Sequence, residues 1–285
     1  MKLVVISGMS GSGKSVALHT LEDLGYYCVD NLPVGLLPAF ADKLCNAAQF
    51  PQGQAAVSID ARNLPDDLVR FPEILDGIKH LDLNCEILYL DCADETLLKR
   101  YSETRRRHPL SRDDLPLRDA IGRERDLLGP IAMRANLHID TSHLNLYQLR
   151  DLIRERVADR QAGTLSLLFQ SFGYKHGIPA DADFVFDLRC LPNPYWVPNL
   201  RPLTGLDPAV GEFLEQQPTV VEMREQIERF LEIWIPRFEA DSRSYVTVAL
   251  GCTGGHHRSV YLAKRLADHF RQQRSNVQIR HRELS

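Results

Sequence analysis

Residues 8–15 read GMSGSGKS and directly follow the apolar run Lys2–Ile6, so the chain opens with a strand that leads into a glycine-rich turn. The segment matches GxxxxGK[ST] at every fixed position, and residues 15–24 after it have apolar side chains at helical spacing. A strand, a phosphate-binding loop and a helix are therefore predicted in that order. Lys14 would reach the β- and γ-phosphates of a nucleotide, and the Ser15 hydroxyl would bind Mg²⁺.

The composition of this loop follows from phosphate chemistry. Glycines let the backbone turn tightly enough for its N–H groups to point at phosphate oxygens, and the helix N-terminus adds a partial positive charge. A glycine-serine linker that matched by chance would lack the strand and the helix on either side. We assign phosphoryl chemistry to Lys14 and Ser15. The predicted nucleotide-binding residues of the loop are Gly8, Met9, Ser10, Gly11, Ser12, Gly13, Lys14 and Ser15.

The rest of the chain predicts two α/β domains, residues 1–160 and 165–285, joined by a hinge at 161–164. Strands that alternate with helices indicate a doubly wound parallel sheet, which here is a P-loop kinase-like first domain. Its last helix is predicted at 144–160. Further strands are predicted at 26–30, 55–60, 86–91 and 137–140, then at 165–172, 184–188 and 245–250 in the second domain, with helices near 209–215, 219–238 and 259–274.

Three aspartates, Asp30, Asp60 and Asp91, stand at the ends of predicted strands. A carboxylate at that edge of a parallel sheet completes the Mg²⁺ site of many nucleotide-binding proteins. Strand ends also carry Asp as the N-cap of the next helix. Both interpretations stay open for each residue, with at least one of the three expected to face a metal.

Composition excludes collagen-like, disordered and coiled-coil chains, because 44% hydrophobic and 25% charged residues are ordinary globular values. The formal net charge of −4 hides basic segments at 99–112 and 258–285. Arg105 and Arg106 in the first segment are predicted to form a lid over transferring phosphate. A solvated helix face or an RNA-binding patch is the alternative for this segment.

Six cysteines are scattered without a CxxC pair, and there is no signal peptide and no apolar run of 18 residues. We therefore expect a cytoplasmic protein with reduced thiols and without membrane segments. A zinc site is not expected, because Cys and His are not paired at ligand spacing.

A second glycine-rich turn follows the apolar run Tyr245–Leu250. Cys252 and Arg258 have the spacing C-x5-R, and Ser259 comes next, as in the anion-binding loop of cysteine phosphatases. Gly251 stands where such enzymes have His, and no aspartic general acid is evident. Binding of a phosphorylated small molecule or a phosphodiester is therefore favoured over hydrolysis. A tight turn around a buried Cys252 is the alternative.

Taken together, these segments resemble the RapZ/YvcJ family of bacterial nucleotide-binding proteins over nearly the whole chain. Several of the matching segments are specific to this family rather than common to all P-loop proteins. The segments are Ser7–Val16, Tyr27–Pro33, Val57–Asn63, Arg100–Leu110, Ser171–Pro179, Leu191–Pro194 and Gly251–Tyr261.

The resemblance implies binding and weak hydrolysis of ATP and GTP, with the GTP site at Asp60, Ala61, Arg62 and Asn63. It further implies an adapter that presents small regulatory RNA to an endoribonuclease. The second domain is expected to resemble a sugar-phosphate fold, to bind glucosamine-6-phosphate and to support homo-oligomers. Its expected phosphosugar contacts are Thr253, Gly254, His257 and Arg258, and its expected RNA contacts are Arg271, Arg274, Arg280 and Arg282.

Two departures from the family pattern concern the RNA-binding expectation. The chain ends without a terminal lysine/arginine cluster, and Tyr195 stands in the Pro-rich loop where the family has His. Fewer terminal cations mean a smaller phosphate-backbone contribution to RNA affinity. The alternatives to an adapter are a P-loop small-molecule kinase, using Lys14, Ser15 and the Arg105–Arg106 pair, and a phosphatase built on Cys252 and Arg258.

Overall fold

The computed structural model describes residues 1–46, 53–104, 107–111, 115–158, 164–241 and 243–284. The chain divides into two compact units, Met1–Asp159 and Arg160–Ser285. Of the predicted hinge, only Thr164 belongs to the described residues.

The first unit alternates strands and helices, as the sequence predicts. One short 3₁₀ turn, Val34–Leu36, precedes α2, and a π-helical turn, Arg154–Ala158, continues α7. The predicted helix at 144–160 is therefore shorter than expected as an α-helix. The elements are β1 Lys2–Gly8, α1 Lys14–Asp23, β2 Tyr27–Val29, α2 Leu37–Asn46, β3 Gln54–Ser58, α3 Pro65–Val69, α4 Phe71–Gly77, β4 Asn84–Asp91, α5 Asp94–Thr104, α6 Leu117–Ala132, β5 Leu137–Asp140 and α7 Leu146–Ile153.

The five strands form one parallel sheet in the order β2-β3-β1-β4-β5. β1 lies in the centre, and Ile6 is paired with Ser58 of β3 on one side and with Leu88 of β4 on the other. The strand order reverses at β1, and in such sheets ligands bind beyond the carboxyl ends of the strands at this position. The loop at 8–13 starts at that edge.

The burial of β1 explains its continuous apolar sequence. Every residue of the strand after Lys2 is buried, because helices cover both faces of the sheet. On one face, α1 packs against α7; on the other, α6 packs against α3, α4 and α5. The carboxyl end of β1 is thereby fixed between two layers of helices.

The second unit is a four-stranded sheet in the order β7-β8-β6-β9, with all pairs parallel. Both central strands are buried along their whole length. β9 was not predicted from the sequence, and α10 ends three residues earlier than expected. The elements are β6 Ser166–Gly173, β7 Phe184–Asp187, α8 Pro208–Glu215, α9 Pro218–Ala240, β8 Tyr245–Cys252, α10 Arg258–Arg271 and β9 Val277–His281.

The predicted fold class is confirmed: the chain is α/β with parallel sheets, and its first sheet is doubly wound. Within the described residues, no helix has the length and apolar character needed to span a membrane.

Candidate functional site

The loop after β1 depends on its glycines. Gly8 has φ +141°, and a Cβ at this position would lie 2.1 Å from the carbonyl oxygen of Leu90. Met9 N–H donates to that same oxygen over 3.1 Å, so the start of the loop is fixed to the end of β4. Gly11 and Gly13 also have positive φ, 89° and 106°. The backbone conformation of this loop therefore requires its glycines.

The loop ends at the N-terminus of α1, and this terminus has the features of an anion site. Gly13 is the N-cap and, in the described structure, no side chain caps the helix. The Oγ of Ser12 is buried and has no hydrogen-bond partner among the described residues. Ser15 is exposed in the first turn. Uncapped N–H groups together with a buried hydroxyl fit a bound phosphate.

The side chain of Lys14 folds back and donates hydrogen bonds to its own loop. Its Nζ donates to the carbonyl oxygens of Gly8, over 2.7 Å, and Met9, over 3.2 Å. Burial lowers the pKa of Lys14 below its ordinary value, while the nearby carboxylates of Glu124 and Asp60 act in the opposite direction. A partly desolvated ammonium beside the uncapped helix N-terminus is suited to bind phosphate oxygens.

Asp60 lies beyond the end of β3 and is held by the residue two positions later. Arg62 donates to the two carboxylate oxygens through Nε and Nη2, at 2.9 and 2.6 Å to Oδ2, and its backbone N–H donates to Oδ1 at 2.9 Å. Burial alone would raise the pKa of Asp60, but the hydrogen bonds from Arg62 and the charge of Lys14 keep it below its ordinary value. The carboxylate is therefore ionised and bound.

The remaining residues of the expected GTP segment shape the turn. Ala61 is buried, and Asn63 accepts a 2.7 Å hydrogen bond from the N–H of Val34 on its side-chain oxygen. Asn63 N–H in turn donates to the carbonyl oxygen of Asp60 over 3.1 Å. The segment is a tight turn after β3, and the hydrogen bond of Asn63 links it to the start of the 3₁₀ turn before α2.

The other two strand-end aspartates have different environments. Asp30 accepts a 2.5 Å hydrogen bond from Ser58 Oγ and acts electrostatically on Lys14, as Asp60 does. Asp91 accepts hydrogen bonds from Nη1 of Arg125 and from the N–H of Cys92, both at 2.7 Å. Asp60 and Asp30 thus both act on the loop cation, and Asp91, like Asp60, is engaged in an ion pair and a backbone contact.

Residues outside the motif support the loop, and sequence reasoning did not assign them to it. Arg100 donates to the carbonyl oxygens of Gly11, over 2.9 Å, and Thr141, over 2.7 Å. Glu124 in α6 accepts hydrogen bonds from Ser10. The sequence signal for Glu124 is a carboxylate on the buried face of an amphipathic helix. The predicted lid residues Arg105 and Arg106 lie outside the described residues.

The loop of the second unit joins β8 to α10. Cys252 is buried, its Sγ accepts the N–H of Gly255 at 3.2 Å and lies 3.1 Å from the Oγ of Ser259. The loop backbone therefore wraps around the sulfur. This arrangement is common to both interpretations of the sequence, an anion-binding loop and a tight turn around a buried Cys252.

Arg258 is 3% exposed and fastens this loop to the Pro-rich segment. Its Nη1 donates to the carbonyl oxygens of Arg189, at 3.0 Å, and Leu191, at 2.8 Å, and its Nη2 donates to Thr253 Oγ1 at 3.3 Å. In the described part of the chain, Nε2 of the buried His257 has no hydrogen-bond partner. Of the predicted phosphosugar contacts, His257 therefore has a ring nitrogen available for a ligand in the described structure. Both Nη atoms of Arg258 already donate hydrogen bonds within the protein.

Two glycines outside the motif allow the close backbone approach that this loop needs. A Cβ on Gly205 would lie 2.2 Å from the carbonyl oxygen of His257, and a Cβ on Gly173 would lie 2.7 Å from the carbonyl carbon of Gly254. Gly205 N–H also donates to His256 O over 2.8 Å. The loop is thus packed backbone against backbone.

Charged side chains of both signs lie near the loop. The Nζ of Lys175 lies 3.9 Å from the position of a Cβ on Gly254. Glu283 accepts a hydrogen bond from the N–H of Gly173; burial raises its pKa above the ordinary value, and the charges of Arg282 and His176 offset part of that rise. Sequence reasoning missed Glu283, since nothing in a charged chain end indicates that it folds back.

The four predicted RNA-binding arginines do not form one cluster. Arg282 lies beside the loop and donates to the carbonyl oxygen of Gly177 over 3.1 Å, and Arg280 lies on β9. Arg271 ends α10, a helix of 14 residues and hence about 20 Å long that starts at the loop. Arg271 donates to Asp268, and Arg274 forms a bidentate pair with Glu239.

No metal centre stands out by its ligands: across the described ranges, three or more His, Cys, Asp or Glu side chains are nowhere grouped to hold an ion. A Mg²⁺ ion bound here would take its ligands chiefly from Ser15, water and phosphate oxygens, as nucleotide-bound Mg²⁺ does.

Solved structures similar to the first half of the chain include small-molecule kinases. A shikimate kinase from Bacteroides thetaiotaomicron is 16% identical with a TM-score of 0.35, over 53% of this chain and 94% of that chain. A sugar kinase from Janibacter sp. is 14% identical with a TM-score of 0.34, over 54% of this chain and 92% of that chain.

Relatives similar over the whole chain are named nucleotide-binding proteins. One from Alkalilimnicola ehrlichii is 60% identical over 285 residues, which are 100% of this chain and 99% of the relative. One from Nitrosococcus oceani is 57% identical over 100% of both chains.

Two family models divide the chain between them. The RapZ-like N-terminal domain matches residues 1–161, and the RapZ C-terminal domain matches residues 165–285. With both halves matched in order and relatives of the same length above 55% identity, the chain belongs to the RapZ family.

Proposed function

We propose that the first unit binds ATP or GTP with Mg²⁺ in the loop at 8–15. The observation that carries this proposal is the uncapped N-terminus of α1, next to the buried Ser12 Oγ that has no partner among the described residues. Lys14 lies on the same loop, and among the residues that the structure describes its Nζ donates only to carbonyl oxygens, which a phosphate oxygen would replace as its partner. The names of the relatives support the same function.

We propose that the Ser15 hydroxyl binds the metal. Asp60 and Asp30, which follow the strands β3 and β2, supply negative charge near Lys14. Bound Mg²⁺ would neutralise phosphate charge. Asp60 is already bound by Arg62 through two side-chain nitrogens, so it is a poor base for activating water. Hydrolysis is therefore proposed to be weak, and nucleotide binding rather than turnover is the main activity.

Equilibrium binding of labelled ATP and GTP, with and without Mg²⁺, tests this function. We expect Lys14→Ala to weaken binding roughly tenfold or more, since a charge-assisted contact to phosphate is lost. Ser15→Ala is expected to remove most of the Mg²⁺ dependence. Asp126→Asn, on the exposed side of α6, is the control. A Lys14→Ala protein that binds both nucleotides as the wild type does would contradict the proposal.

For the second unit, the loop at 252–258 is proposed to bind glucosamine-6-phosphate through Thr253, Gly254, His257 and Arg258. The buried Nε2 of His257, which has no partner within the described residues, supports a ligand at this loop. Lys175 beside Gly254 supplies a cation for the phosphate. Titration calorimetry with glucosamine-6-phosphate should show a heat of binding for the wild type and none for His257→Ala. Equal binding of unphosphorylated glucosamine would contradict a phosphate loop.

We further propose that the protein is an RNA-binding adapter for an endoribonuclease. Family membership and the cations beside the second loop support this proposal. Arg282 donates to the carbonyl oxygen of Gly177, two residues after Lys175, whereas Arg271 and Arg274 are paired with carboxylates. Filter binding of small RNA over a salt series should show a slope that Arg282→Ala reduces by about one unit, with Arg274→Ala as the matched control. Absence of RNA retention at low salt would contradict the adapter function.

A further inference from the structure

A buried chain of hydrogen bonds runs behind the phosphate loop. Glu124 of α6 is fully buried and accepts the Ser10 N–H at 2.9 Å and the Ser10 hydroxyl at 2.6 Å. Its Oε2 also lies 3.0 Å from Nε2 of His108, which is itself 2% exposed. One carboxylate therefore joins the third residue of the loop to the segment between α5 and α6.

The direction of the His108 bond follows from its other ring nitrogen. Leu110 N–H donates to Nδ1 of His108 over 3.1 Å, so Nδ1 is an acceptor and the proton of a neutral ring sits on Nε2. His108 therefore donates to Glu124. Burial alone would raise the pKa of Glu124, but the bonds from His108 and Ser10 and the charge of Lys14 hold it below the ordinary value. The pair is an ionised carboxylate and a neutral histidine.

Tyr101 of α5 closes this chain from the other side. Its ring centroid lies 5.3 Å from that of His108, and burial raises the pKa of its hydroxyl, an effect that the nearby Ser10 side chain partly offsets. A Cβ on Gly11 would lie 3.6 Å from the same ring. The conformation of the loop at Ser10 and Gly11 is thus set by α5, α6 and the segment that connects them.

We infer that Glu124 is a positioning residue for the nucleotide site, and that His108 acts on the site through Glu124. The inference rests on the proposed nucleotide binding. The backbone N–H groups of a phosphate loop bind an anion only when the loop holds its curvature, and Ser10 is fixed by two hydrogen bonds to Glu124, outside the motif. The segment after α5 thereby controls the affinity of a loop that it does not belong to.

A double-mutant cycle on nucleotide affinity tests the inference. Glu124→Ala is expected to weaken ATP binding roughly tenfold, and His108→Ala roughly fivefold, because each breaks the same chain. The double variant should bind no more weakly than Glu124→Ala alone. His108→Gln keeps a side-chain N–H at the position of Nε2 and should restore most of the affinity. Asp126→Asn on the exposed side of α6 should match the wild type.

A purely stabilising network would lower the melting temperature of these variants and leave ATP affinity unchanged. An unchanged affinity of His108→Ala, or an equal loss in the wild-type and Glu124→Ala backgrounds, would overturn the inference. If Glu124→Ala does not fold, Glu124→Met fills the volume without offering an acceptor and takes its place in the cycle. Failure of the wild type to bind ATP would instead refute the proposed function.

Discussion

The carboxylate of Asp91 accepts a 2.7 Å hydrogen bond from Nη1 of Arg125, and the same guanidinium reaches Asp94 at 2.8 Å. The aspartate at the end of β4 is therefore paired within the protein. Asp60 is also paired, with Arg62, but Asp60 and Asp30, beyond β3 and β2, both act electrostatically on Lys14. Three residues that look equivalent in the sequence thus have different surroundings.

This separation predicts opposite results for two isosteric variants. Asp60→Asn should lower the affinity for Mg²⁺-ATP severalfold and leave metal-free binding nearly unchanged, since a negative charge on the side proposed for the metal is removed. Asp91→Asn should leave both affinities unchanged and reduce the free energy of unfolding by about 1 kcal/mol, the size of a part-exposed ion pair. Nucleotide titration and denaturant unfolding measure the two effects. Equal loss of Mg²⁺ dependence in both variants would refute the distinction.

The pH dependence of ATP affinity should report the ionisation of Lys14. Burial lowers its pKa below 10.5, and phosphate binds the charged form. Affinity should therefore be highest below this lowered pKa and fall as pH rises through it, before pH 10.5 is reached. Lys14→Arg, whose guanidinium stays charged, should bind more weakly but lack this alkaline decline. A decline of equal size in that variant would assign the titration to another group.

Gly205 should be intolerant of a methyl group. Its Cβ would lie 2.2 Å from the carbonyl oxygen of His257, so Gly205→Ala must displace the second loop. We expect a loss of roughly 2 kcal/mol in unfolding free energy, typical of overpacking against backbone. Gly211→Ala is the control, because it lies in α8 and its Cβ would meet only the Tyr261 ring at 3.6 Å. That variant should be neutral or slightly stabilised.

Glu283→Gln should stabilise the protein at neutral pH. Burial raises the pKa of Glu283 above 4.5, so the folded state binds its proton more tightly than the unfolded state does. Below about pH 4.5 the side chain is protonated in both states and does not lower the free energy of unfolding. As pH rises from 4.5 through the raised pKa of the folded state, Glu283 lowers that free energy. The melting temperature of the variant should exceed that of the wild type at pH 7, with the difference vanishing near pH 4. A higher melting temperature of the wild type at pH 7 would contradict this sign.

The first loop was predictable because its chemistry is contiguous. Residues 8–15 contain the glycines, the lysine and the serine in one segment, and the strand and helix around it have strong local patterns. β9 was missed although Val277 and Ile279 alternate with polar residues, because five residues at a sheet edge give a weak signal. The shortened α7 continues as a π-helical turn, which apolar spacing does not reveal.

The sequence by itself determined the α/β class, the order of most strands and the positions of both glycine-rich loops, because these depend on neighbours along the chain. Only the tertiary structure decided which strand-end aspartates act on Lys14, that Glu124 and His108 hold Ser10, and that Glu283 returns to Gly173. Those contacts join residues far apart in the chain. They form where parallel strands end at one edge of a sheet and where a helix buries a polar side chain, so packing alone selects them.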